Sequence, residues 1–128
     1  MVETTPELPL ANLAHLNLQA RHLDLLCELL RRHLPHAEVW AYGSRVNGDG
    51  HEASDLDLAI RQPADLDRPT AELNDLRAAL TESTLPIRVD AVDWARIPRS
   101  FQCEIEHRFV VVQPAQKVGA DGTAEKNA

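Results

Sequence analysis

Gly43-Ser44-Arg45-Val46-Asn47-Gly48-Asp49-Gly50-His51-Glu52-Ala53-Ser54-Asp55-Leu56-Asp57 places a Gly-Ser turn ten residues ahead of two carboxylates separated by one residue. Residues two apart on a strand project from the same face, so Asp55 and Asp57 can share a hard divalent cation. Two like charges side by side are unfavourable without one. Upstream, Gly43 lets the backbone approach a phosphate closely, and Ser44 adds a hydroxyl and a free N–H at the start of a helical turn. A turn suited to phosphate followed by a strand suited to magnesium is the minimum needed to move a nucleotide.

On either side of this stretch the pattern alternates between helix and strand. Leu23, Leu26, Leu30 and Leu34 recur at three- and four-residue steps, with Leu25 and Leu29 widening the stripe, and predict a helix over 18–34 that Pro35 stops. Its apolar face is wide enough to suggest a partner surface as well as a core. Ala37–Tyr42 reads as a strand entering Gly43, and Asn47-Gly48-Asp49-Gly50 as a turn. Ser54–Arg61 reads as a second strand, with Leu56, Leu58 and Ile60 alternating against the aspartates. Thr70 is expected to cap a helix running to Glu82, with Leu73, Leu76 and Leu80 inward. Ile87–Val92 is a third strand, Pro98–Arg108 a helix, and Phe109–Gln113 a short extended end. The expected architecture is a small α/β (α+β) domain whose mixed sheet of three or four strands is flanked by helices. Residues 1–17 form an N-terminal extension, 18–113 the domain, and 114–128 a disordered tail without a core.

A third carboxylate comes from the third strand. Asp90 shares a face with Arg88 and Val92, opposite Ile87, Val89 and Ala91, while Asp93 points the other way if the strand is regular. Arg45 can reach a triphosphate or a partner, although an exposed arginine after a turn is equally ordinary. His51 is a weaker candidate for proton donation, and Glu52 reads as loop. His15, His22, His33 and His36 lack the i, i+4 spacing of a helical zinc site and read as surface. Trp40 and Trp94 read as core or interface anchors, and Cys27 as packing.

Composition narrows the function. With 13 basic and 20 acidic residues the net charge is −7, which argues against a general grip on nucleic acid. Cys27 and Cys103 have no ligand spacing, pointing to a reduced cytoplasmic protein. No apolar run approaches the roughly 20 residues that span a bilayer, and the polar start is not a signal peptide.

The Gly43-Ser44 and Asp55-Leu56-Asp57 spacing resembles the signature of the polymerase β-like nucleotidyltransferases. Trp40-Ala41-Tyr42-Gly43-Ser44-Arg45-Val46 with Ser54–Ile60, then Leu85–Asp90 through Trp94 and the ending Phe109–Gln113, resemble their minimal nucleotidyltransferase (MNT) branch over about residues 18–113. The resemblance implies binding of a nucleoside triphosphate, ATP by family habit, with Mg²⁺, and transfer of the nucleoside monophosphate to a hydroxyl. Asp55 and Asp57 would hold metal, Asp90 would complete the site and help deprotonate the acceptor, and Gly43 and Ser44 would contact the triphosphate. Minimal members pair with helical HEPN proteins. In one set the partner is an RNase toxin, and the MNT chain is the antitoxin that adenylylates one of its tyrosines. The alternatives are an antitoxin that neutralises by contact alone, and the nucleotide-binding subunit of a small-molecule nucleotidyltransferase.

Overall fold

The computed structural model describes residues 16–47 and 55–115. The expectations for the extension up to residue 15, for Gly48-Asp49-Gly50 with His51 and Glu52, and for the tail from 116 onward lie outside the described residues.

Helix α1 spans Ala20–His33, its last turn carrying Arg31, Arg32 and His33, where the helix dipole favours cations. It ends where the Leu34 N–H donates to the Leu30 carbonyl at 2.7 Å and Pro35 follows. The Ala37 N–H donates to the Leu34 carbonyl at 3.2 Å, so Ala37 belongs to the turn and strand β1 begins at Glu38 and ends at Tyr42. A four-residue helix α2, Ser44–Asn47, follows Gly43, and β2 is Leu56–Arg61. Helix α3 is Leu73–Glu82, β3 is Val89–Asp93, a 3₁₀ turn occupies Trp94–Arg96, α4 is Arg99–His107 and β4 is Val110–Gln113.

Strand order is β3-β2-β1-β4. β1 runs antiparallel to both β2 and β4, whereas β2 and β3 are parallel, joined by the α3 crossover that a parallel pair requires. The extended end after Phe109 is thus a fourth strand. It is held by Gln113, whose Nε2 donates to the carbonyls of Leu34 at 2.7 Å and Ala37 at 2.8 Å, clamping the α1–β1 turn to the sheet.

The sheet's two faces are covered differently. On one, Leu26 and Leu30 of α1 and Leu76 of α3 pack on Val39, Leu58, Ile60 and Val110. The stripe of α1 is absorbed there, since Leu26, Leu29 and Leu30 are buried and Leu23 and Leu25 pack against the same cluster. The core reading of that helix holds, and Leu23, Leu25 and Cys27 remain partly exposed at the edge of its stripe; Leu66 is the most exposed large apolar side chain among the described residues. Leu16 is buried in this core as well, so the packed unit reaches slightly before residue 18. On the other face Trp40, Ala59, Trp94 and Ile105 form a second cluster beneath α4. Both tryptophans are core residues, as expected: Trp40 stacks on Phe109 at 3.8 Å between ring centroids and meets Trp94 edge-on at 5.3 Å.

Thr70 does not cap α3. The helix starts at Leu73 with no side-chain cap. The Thr70 N–H donates to Asp93 Oδ2 at 2.9 Å and its hydroxyl accepts from Gln62 Nε2 at 2.9 Å, so tertiary partners take the group that a local cap would have used. That contact also explains why Asp93 is buried, facing away from Asp90.

Candidate active site

Gly43 has φ +84°, the left-handed region that side chains rarely adopt. A Cβ built there would lie 2.5 Å from Asp57 Oδ2, so a carboxylate fits against this backbone only because the residue is glycine. Ser44 opens α2 immediately afterwards, and the Val46 N–H donates to the Gly43 carbonyl at 3.0 Å. The first N–H groups of such a turn have no helical acceptor and are available to an anion.

Register does the rest. Tyr42 of β1 stands opposite Asp57 of β2, and Asp57 stands opposite Asp90 of β3. Direct cross-strand partners share a face, so these three side chains form a row across the end of the sheet. The row lies on the α4 face, as Ala59 and Val92, which follow Asp57 and Asp90 at two-residue spacing, pack in the Trp40 cluster. Asp55 is exposed just before β2 and, by the same alternation, belongs to that side. The structure therefore brings together Gly43, Asp57 and Asp90, with Ser44 and Asp55 adjoining.

The electrostatics are those of uncompensated carboxylates. Burial, then the charges of Asp90 and Asp55, push the Asp57 carboxyl above the usual range. Burial together with Asp57 and Asp90 pushes the Tyr42 phenol up to about 12. Among the described residues no cationic side chain pairs with Asp55, Asp57 or Asp90. Nor do any three His, Cys, Asp or Glu side chains among them form a ready-made metal cage. An all-carboxylate donor set that stops short of a cage fits Mg²⁺, which keeps waters and takes substrate phosphate oxygens as ligands, and does not fit zinc.

Arg45 is placed differently from the exposed side chain expected after a turn. It is buried, 4% exposed; its Nη1 donates to the Asn17 carbonyl, and the Asn17 N–H donates to the Arg45 carbonyl at 2.9 Å. At least part of the guanidinium's bonding holds α2 to the segment leading into α1.

Tyr42 is the residue that sequence reasoning passed over. Its ring meets Phe101 of α4 edge-on at 5.7 Å. The two aromatics line a cleft of about 410 Å³ beside Gly43, with Glu104, His107 and Arg108 at its rim. Arg108 Nε donates to the Val46 carbonyl at 3.2 Å and so ties α4 to α2. The available signal was parity: Tyr42 is two residues after Trp40 and abuts the Gly-Ser turn.

A family model described as a nucleotidyltransferase domain matches residues 21–116. A Haemophilus influenzae relative, named as the probable protein adenylyltransferase MntA, is 36% identical over 115 residues, which cover 90% of this chain and 99% of the relative. Among solved structures, one described as a toxin-antitoxin with AMP-PNP superposes with a TM-score of 0.59. It is 22% identical and covers 73% of this chain and 74% of the other, a likeness of fold. Among the described residues no helix is long and apolar enough to cross a membrane.

Proposed function

The chain belongs to the nucleotidyltransferase domain family and is a nucleotidyltransferase of the minimal type; from that premise we propose that it moves AMP from ATP to a tyrosine hydroxyl of a HEPN RNase toxin and so acts, in the cytoplasm, as its antitoxin. The observation that carries this reading is the Gly43–Asp57 contact, with Asp90 in register beside it. A backbone that can approach phosphate and a pair of carboxylates without counter-charge are next to each other.

In this reading Gly43 and Ser44 receive the triphosphate through backbone N–H groups and the Ser44 hydroxyl, while buried Arg45 braces α2 against the segment that leads into α1. Asp55, Asp57 and Asp90 hold Mg²⁺, which when bound neutralises charge on the phosphates and on the leaving pyrophosphate. The acceptor oxygen attacks the α-phosphorus, its proton passes to Asp90, and the bond between the α-phosphorus and the bridging oxygen breaks as pyrophosphate departs. Tyr42 stays a neutral phenol through physiological pH, so it adds no third negative charge to the row. The 36% identical relative, whose name denotes a protein adenylyltransferase, supports a protein acceptor.

The test is co-expression with the HEPN-domain protein and intact-mass measurement of that partner. One or more added AMP units, absent with the Asp55→Asn/Asp57→Asn chain, is the expected result. A stable complex without added mass, from a partner still neutralised, would replace transfer by inhibition through contact.

A further inference from the structure

β3 is an edge strand, and its outer side faces no other strand among the described residues. Its pairing with β2 decides which backbone groups look outward. Leu56 is the partner of Val89, and the Leu56 N–H donates to the Arg88 carbonyl at 2.9 Å. In a parallel ladder the residues flanking that partner, Arg88 and Asp90, therefore turn their bonding groups toward β2, while Val89 and Ala91 turn theirs away. The Ala91 carbonyl is covered, since Arg77 of α3 donates to it from Nη2 at 2.8 Å. The outward N–H and C=O of Val89 have no strand to pair with among the described residues.

This edge lines a groove of about 420 Å³ between β3 and α3, walled by Arg77, Leu80 and Thr81 on one side and by Arg88, Val89 and Asp90 on the other. Arg88 is exposed and makes no ion pair among the described residues. The groove thus combines open main-chain hydrogen-bonding groups, an unused cation and the exposed carboxylate of the reacting row.

We propose that the acceptor protein docks here as an extended segment that adds a fifth strand to the β3 edge and presents its hydroxyl to Asp90. The occupant follows from the chemistry of the edge: main-chain donors and acceptors in strand geometry are matched by an extended polypeptide. An added strand lies about 4.8 Å from β3, with directly opposed side chains at Cβ separations of about 5 Å. A hydroxyl-bearing side chain opposite Asp90 therefore falls on the face that carries Asp57 and Asp90, while Arg88, two residues earlier on that face, pairs with an acidic residue of the same segment. Nucleotide and acceptor then approach from different sides, by way of Gly43 and of β3. This inference rests on the transferase reading and adds to it the route by which the acceptor arrives.

Two variants of the full chain test it, with the HEPN-domain protein as acceptor. Val89→Pro removes the outward N–H at an edge position where proline is tolerated. Thr81→Trp fills the groove from the exposed side of α3, where the Thr81 hydroxyl bonds only to its own helix. Each is expected to slow AMP addition at least about tenfold, the worth of one or two interchain hydrogen bonds, with binding of a fluorescent ATP analogue unchanged. Residue-resolved amide exchange should show Val89 becoming protected in the complex. Wild-type rates in Thr81→Trp with Val89 still exchanging freely would overturn the inference, whether or not Val89→Pro folds. A wild-type chain that transfers nothing, yet protects Val89 on binding, would instead sink the transferase reading and leave the docking route standing. No transfer and no protection would sink both.

Discussion

The two faces of the sheet have opposite characters. Under α1 and α3 the contacts are largely aliphatic: Leu26, Leu30, Leu58, Ile60 and Leu76 are fully buried, and the buried carboxylate of Asp93, opposite Ile60, is answered by the Thr70 N–H and by Arg96. Under α4 the same four strands carry tryptophan, tyrosine, arginine and aspartate. There Arg61 lies over the rings of Trp40 at 3.8 Å and Trp94 at 4.7 Å, held at 3.2 Å by Glu38, its charge disfavoured by burial. Among the described residues Trp40 Nε1 and Arg61 Nε on this side, and Asp93 Oδ1 and Gln113 Oε1 elsewhere, are buried without a hydrogen-bond partner. Most of the aliphatic burial thus lies on one face, while the other holds the carboxylate row at one end of its strands and the Arg61–tryptophan stack at the other. β2 supplies both, because alternation sends Leu56, Leu58 and Ile60 one way and Asp57, Ala59 and Arg61 the other.

This contrast can be broken in four ways. The Asp55→Asn/Asp57→Asn pair should reduce transfer by about 10³-fold or more, since metal-assisted charge stabilisation contributes several kcal/mol to such a transition state. Its far-UV circular dichroism should match wild type; a loss of fold would mean that the reacting face also carries stability. Leu76→Ala, on the aliphatic face, should destabilise by about 2–5 kcal/mol in urea unfolding while activity per folded molecule is kept. A large loss of turnover in that folded variant would erase the division of labour.

Gly43→Ala sits where the faces meet the turn. It should cost about 1–3 kcal/mol of stability, because a left-handed backbone and a methyl group 2.5 Å from Asp57 Oδ2 are both imposed, and it should weaken ATP binding measured by calorimetry. The smallest effect has the opposite sign. Asp57→Asn alone should stabilise the nucleotide-free protein by no more than about 1 kcal/mol at neutral pH, since the crowded charge that it removes is half-exposed and screened by solvent. The pH dependence identifies the cause. The Asp57 carboxyl is raised in the fold from its ordinary 3.8, so on raising pH the unfolded chain loses this proton first and native stability falls through the interval up to the folded value. Below that interval the wild type and the variant should melt alike, and above it the variant should be the more stable. A difference in melting temperature that does not open with pH would assign the gain to packing.

Much of the site was legible before any fold was known. Gly43-Ser44 and Asp55-Leu56-Asp57 declare themselves because a turn that needs glycine and a two-residue alternation of acid and leucine are local properties. Asp90 was placed on an exposed strand face by the same alternation, with Asp93 pointing away, and that is how the structure has them. The less legible residues depend on partners remote in sequence. Thr70 has the composition of a cap, yet its groups go to Asp93 and Gln62. Arg45 follows a turn and looks exposed, yet it is buried against Asn17. Tyr42 acquires its place only from Asp57 opposite and Phe101 above.

The sequence by itself determined which segments are helix and which are strand, which side of each is apolar, and that a glycine turn precedes a pair of carboxylates, because periodicity and backbone permissiveness act within a few residues. Tertiary structure alone decided the order β3-β2-β1-β4, and with it that Asp90 lies beside Asp57, that the face under α1 is closed while the edge of β3 is open, and that Asp57 rests on Gly43. Those are outcomes of strand pairing between distant segments, where many registers satisfy the same local pattern and only the packing of the whole core selects one.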